Sequence, residues 1–76
     1  MKVLHLIIKG EPCRGEELRS LALSLGAVGA TVSKAYLSDP STYRLGLTFL
    51  DSGAPDLNLL KERLGQAGFT VVQQVQ

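Results

Sequence analysis

Apolar and polar residues alternate, then recur at helical spacing, then alternate again, and the chain runs through this cycle twice. Val3-Leu4-His5-Leu6-Ile7-Ile8 predicts a strand by its length and β-branching. Leu4, Leu6 and Ile8 share one face, and Val3, His5 and Ile7 share the other. Both faces are largely apolar, which predicts an inner strand. Gly10-Glu11-Pro12-Cys13-Arg14-Gly15, with two glycines and a proline, predicts a loop. Over about 16–25, Leu18, Leu21, Ala22 and Leu25 fall at i, i+3, i+4 and i+7, the single stripe of an amphipathic helix. Glu16 and Glu17 sit in its first turn, where the helix dipole favours negative charge. Gly26 is placed to stop it.

The second cycle begins with a strand over 28–37. Val28, Ala30 and Val32 point one way, and Thr31, Ser33, Ala35 and Leu37 the other. Asp39-Pro40-Ser41 is turn chemistry. A third strand then alternates Leu45, Leu47 and Phe49 with Arg44, Gly46 and Thr48, so a hairpin of the second and third strands is expected. Asp51-Ser52-Gly53 closes it, and Asp56 is a good helix N-cap. Leu57, Leu60, Leu64 and Ala67 make the second helical stripe, with Gly68 as its stop. In the last strand Phe69, Val71 and Val75 alternate with Thr70, Val72 and Gln74. The order β-α-β-β-α-β predicts an α+β, ferredoxin-like sandwich. Its four-stranded antiparallel sheet should carry both helices on one face. The other face then has no element left to cover it. Because the first strand is apolar on both sides, a subunit contact is expected there.

Length and charge narrow the functional classes. The 76 residues make one domain, 1–76. One cysteine gives no disulfide, so stability must come from packing or from another subunit. Eight basic and seven acidic residues leave a net charge of +1, too little to steer the chain to nucleic acid or an anionic membrane. RNA-binding sheets also need stacking aromatics on their middle strands. The first strand has none, Phe49 follows the core alternation, and Tyr36 and Tyr43 lie near the hairpin end. The longest apolar run, over 3–8, is too short to span a bilayer. No signal-peptide pattern precedes it, so a cytoplasmic protein is the expectation.

Candidate chemistry gathers in the 10–15 loop. Cys13 precedes a helix N-terminus, a position that lowers thiol pKa; the plain alternative is a small residue in a tight loop. Lys9 and Arg14 flank the glycines, and the free N–H groups of the following helix could help them hold a carboxylate or phosphate. The Lys-Ser/Thr ending of a nucleotide P-loop is missing. His5 has no acidic neighbour in sequence to orient it. With no nucleophile, base and orienter visible, an enzyme is not expected, and no cofactor is implied.

Two resemblances bear on this loop. Gly10-Glu11-Pro12-Cys13-Arg14-Gly15-Glu16 is similar to the metal loop of heavy-metal-associated domains, which use two cysteines spaced by two residues. Cys13 matches the first, while Glu16, a hard ligand, stands at the second. Over nearly its whole length the chain resembles the ACT-like regulatory domains. The likeness lies in Glu11-Pro12-Cys13-Arg14-Gly15, then Leu18, Leu21 and Leu25, then Gly29-Ala30-Thr31-Val32, and later Ala67-Gly68-Phe69-Thr70-Val71. Leu6-Ile7-Ile8-Lys9-Gly10-Glu11 and Gly53 look like the NIL variant. Members of these families pair through their sheets. The resemblance implies a non-enzymatic regulatory module, a homodimer or larger assembly, that binds an amino-acid-like ligand. The ligand would lie at a subunit interface among Gly10, Glu11, Pro12, Cys13, Arg14 and Gly15, with Gly29 and Thr31 opposite. Any output would need a partner protein. The alternatives are a metal-handling domain using Cys13 and a purely structural assembly module.

Overall fold

A computed structural model describes residues 1–50 and 55–75. It gives β1 (Lys2–Lys9), α1 (Gly15–Ser24), β2 (Gly29–Tyr36), β3 (Asp39–Phe49), α2 (Leu57–Gln66) and β4 (Thr70–Val75). The strands form one antiparallel sheet in the order β2-β3-β1-β4, an α+β ferredoxin-like fold. β1 is an inner strand, as its two apolar faces predict. The expected closure at Asp51-Ser52-Gly53 lies outside the described residues.

The core forms where the two helical stripes meet one sheet face. Leu6 and Ile8 of β1, Leu45, Leu47 and Phe49 of β3, Leu18 and Ala22 of α1, and Leu60 and Leu64 of α2 are all buried. Leu21, Leu25, Leu57 and Ala67 pack against them from the edges of the same stripes. Both helices end as their glycines predict. Gly26 and Gly68 have φ of +101° and +91°, a region that L side chains rarely enter. After α2, the Phe69 amide donates to the Leu64 carbonyl at 2.9 Å, which turns the chain so that Phe69 enters the core. Asp56 caps α2 by accepting from the Asn58 amide at 3.4 Å.

The structure corrects the sequence reading at two points. The β2–β3 reversal is at Leu37-Ser38, not at Asp39-Pro40-Ser41, because Tyr36 already pairs with Asp39. Pro40 instead falls in an irregular stretch of β3, between the Tyr36–Asp39 and Lys34–Tyr43 pairs, where a missing N–H is tolerated. Second, β4 does not alternate regularly. Ile8 pairs with Val71 but Ile7 pairs with Gln73, so Val72 is an extra residue, a β-bulge. Beyond it the faces exchange. Val75 pairs with His5 and joins the face away from the helices, while Gln74 takes the core side opposite Leu6.

The uncovered face is consequently more polar than β1 alone suggests. Directly opposite residues share a face, so the register places Thr48, Gly46, Arg44 and Thr42 of β3 beside Val3, His5, Ile7 and Lys9. Gly29, Thr31 and Ser33 of β2 continue it outward. The apolar part is a strip of Val3, Ile7 and Val75.

Candidate functional site

The 10–15 loop is built around a buried tyrosine. Tyr43 stands two residues before Leu45 on the core face of β3, opposite Ile8, so its ring is buried and its hydroxyl points out beyond the strand ends. That hydroxyl donates to the Glu11 carbonyl at 2.6 Å and accepts from the Arg14 amide at 3.0 Å. It therefore bridges the two groups that close a four-residue turn over Pro12 and Cys13. Pro12 followed by Cys13 at φ +65° is the pattern of a type II turn, whose third position favours glycine. Cys13 is exposed and free. Gly10 donates to the Ser41 carbonyl at 2.8 Å and lies against the Phe69 ring.

Arg14 is equally committed. Its Nε donates to Glu17 Oε2 at 2.8 Å, and its terminal nitrogen bonds the same oxygen. A further bond runs to the Ala67 carbonyl at 3.0 Å, at the C-terminal end of α2. The guanidinium lies 4.5 Å from the centre of the Phe69 ring, a cation–π distance. A groove of about 400 Å³ between α1 and the α2–β4 turn is lined by Glu16, Glu17, Ser20, Leu21, Ala67 and Phe69. Three of those residues are the ones Arg14 already holds. Of the expected anion-binding groups, Arg14 thus serves the fold within one protomer through both its amide and its side chain. Sequence reasoning missed Tyr43 as the organiser of this loop. Its place in the Leu45-Leu47-Phe49 alternation was the available signal.

The other half of the expected site is elsewhere. Thr31 is level with Gly46 and His5, and Gly29 is level with Thr48 and Val3. Thr31 thus lies four strand residues below Lys9, about 13 Å at roughly 3.3 Å per residue. It also faces away from the helices, whereas Gly15 lies over Val32 on the helical side. Within one protomer, Gly10, Glu11, Pro12, Cys13, Arg14 and Gly15 form one cluster. Gly29 and Thr31 belong to another.

On the uncovered face, His5 lies over Gly46. A Cβ at Gly46 would fall 3.5 Å from His5 Nδ1 and 2.7 Å from Thr31 Oγ1, so the glycine makes a notch between them. His5 Nδ1 is closed off from solvent and has no hydrogen-bond partner in the structure. A buried polar group left so costs about 1–3 kcal/mol. At the head of the face, Asp39 accepts from Thr42 Oγ1 at 2.6 Å and from Ser41 Oγ at 2.8 Å. Those hydrogen bonds hold its carboxyl below the usual value. Among the described residues, no three metal-ligating side chains gather, around Cys13 or elsewhere. No helix among them is long and apolar enough to cross a membrane.

Compared with protein-family models, curated proteins and solved structures, the chain matches none.

Proposed function

We propose that this chain is a non-enzymatic, ACT-like regulatory or ligand-binding module that acts as a homodimer or larger assembly. Its ligand is a small amino-acid-like molecule held between copies. The supporting observation is the separation of the two site halves in one protomer. The 10–15 loop and Tyr36 lie at one end of the sheet, Gly29 and Thr31 toward the other. β2 is an edge strand, paired in regular register from Gly29 to Lys34. A two-fold pairing of β2 with its copy runs the strands antiparallel. It brings Gly29 and Thr31 of one protomer level with the end where the other carries its loop, the loop on the helical side of the sheet and the two β2 residues on the other. Val28, Tyr36 and Leu37, all exposed, flank this edge and would meet across the pair.

A second reading, a structural assembly module with no ligand, is favoured by the commitment of Arg14 and the Arg14 amide to the fold. Two measurements separate them: sedimentation mass, and a thermal-shift screen of free amino acids. A dimer that one amino acid stabilises at millimolar concentration is expected. A dimer indifferent to all of them leaves only the assembly role. A monomer indifferent to all of them refutes both readings.

A further inference from the structure

The face of the sheet away from the helices carries the cations Lys9 and Arg44, and its one acid among the described residues stands at the rim. By register it presents Val3, His5, Ile7, Lys9, Arg44 and Val75. The nearest acid is Asp39 at the rim, engaged by Thr42 and Ser41 and lying in the field of Lys9. Arg44 stands near the middle of the face, exposed, between Ile7 and Ser33. Unlike that of Arg14, its side chain makes no hydrogen bond or ion pair with a described residue. Beside it runs the apolar strip of Val3, Ile7 and Val75, with Val3 55% exposed. His5, within that strip, holds the buried Nδ1 that folding alone leaves without a partner.

We infer that this face docks an acidic, amphipathic helical segment of a partner protein. A segment lying on a sheet face gains no backbone hydrogen bonds from it, since those run within the sheet. It must satisfy its own, which a helix does. Four strands at about 4.8 Å spacing give a surface roughly 19 Å wide, room for one helix of about 10 Å diameter. From Val3 to Ile7 is about 13 Å of strand, matched by roughly nine helical residues at 1.5 Å rise. Aliphatic side chains at i, i+3 or i+4 and i+7 would lie on Val3, Ile7 and Val75, with carboxylates beside them on Arg44 and Lys9. The observations disfavour other occupants. A second copy stacked face to face sets two surfaces bearing Lys9 and Arg44 together, with only the rim Asp39, already engaged by Ser41 and Thr42, to offset them. Nucleic acid would need stacking groups, and on this face of the inner strands β1 and β3 only His5 carries a ring.

The test is selection of peptides from a random 12-residue display library on the full chain. The selected clones are then mapped by amide chemical shifts. Expected are sequences with Asp or Glu flanking a helically spaced aliphatic stripe, shifting the amides of Val3, Ile7, Thr31, Arg44 and Val75. Arg44→Glu, an exposed change whose fold is checked by circular dichroism, should weaken them at least tenfold. Selection of basic or charge-indifferent peptides, or shifts confined to the helical side, would overturn the inference. So would affinity unchanged by Arg44→Glu, self-association through this face, or preferential binding of an RNA oligonucleotide pool. The peptide readouts depend neither on amino-acid binding nor on sedimentation mass, so the ligand reading can fail separately.

Discussion

Tyr43→Phe isolates the hydroxyl that holds the 10–15 loop. The ring stays, and with it the edge-on contact to Phe69 at 6.3 Å between centroids, so the core term is unchanged. Two hydrogen bonds go: the one donated to the Glu11 carbonyl at 2.6 Å and the one accepted from the Arg14 amide at 3.0 Å. Each is worth about 0.5–1.5 kcal/mol net, and the pair about 1–3 kcal/mol. Glu11 is exposed and Arg14 only partly buried, so water can reach both freed groups, which favours the lower half of that range. A loss of about 1.5 kcal/mol corresponds to a fall in Tm of roughly 6–12 °C, at about 4–8 °C per kcal/mol for a domain of this size. Urea unfolding followed by circular dichroism measures the loss, and hydrogen exchange of the Arg14 amide locates it. If the loss stays under about 0.5 kcal/mol and the Arg14 amide keeps its protection, the hydroxyl does not hold the loop.

Substitutions at four further positions probe the neighbouring parts of the molecule. Gly10→Ala would place a Cβ 2.6 Å from Cδ1 of the buried Phe69 ring and should cost about 1–3 kcal/mol. Gly46→Ala meets the rotatable Thr31 Oγ1 at 2.7 Å instead and should cost clearly less; equal losses in urea midpoints would contradict the packing of Phe69. Cys13→Gly relieves a positive φ and should raise stability by up to about 1 kcal/mol, whereas Cys13→Ser should leave it unchanged; a loss in the glycine variant would rule out the type II turn. Asp39→Asn should destabilise, with the sign of its pH dependence set by hydrogen bonds that lower the folded pKa below 3.8. The wild-type advantage is present above the unfolded pKa and disappears as pH falls through the folded one. Urea midpoints from pH 7 to pH 2 should therefore show a constant gap down to about pH 4 that then closes; a gap that widens in acid would reverse the assignment.

The elements were legible because apolar spacing switches period at each boundary, and the stripes of α1 and α2 are the residues that reach the core. What could not be read was whatever a single inserted residue or a long-range hydroxyl decides. The bulge at Val72 leaves the sequence alternation looking intact yet moves Val75 to the opposite face. The Tyr43 contact joins residues 29 and 32 positions apart, and no local pattern announces it. The candidate site was half legible for the same reason. Glycine and proline marked a loop, but Arg14 is taken up by groups distant in sequence: the Tyr43 hydroxyl, the Ala67 carbonyl and the Phe69 ring.

The two sheet edges are not equivalent, and that asymmetry ties the proposed assembly to the proposed partner. β4 is six residues long and broken by its bulge, a feature that blunts an edge against pairing. β2 is eight residues long and regular from Gly29 to Lys34, so a copy adds there more readily. Pairing along β2 leaves the face of each sheet open and joins the two into one eight-stranded surface. Each Arg44 lies on β3, one strand in from the shared edge, so the two stand at least about 14 Å apart, three strand spacings. A partner carrying two acidic segments could then engage both at once, and its second contact would form at the high effective concentration of a linked site. A ligand that stabilises the pair would raise the affinity of such a bivalent partner without touching the face it binds. A monovalent segment would be indifferent to the ligand. That difference is the form a regulatory signal can take in a module whose regular β2 edge is open to a copy.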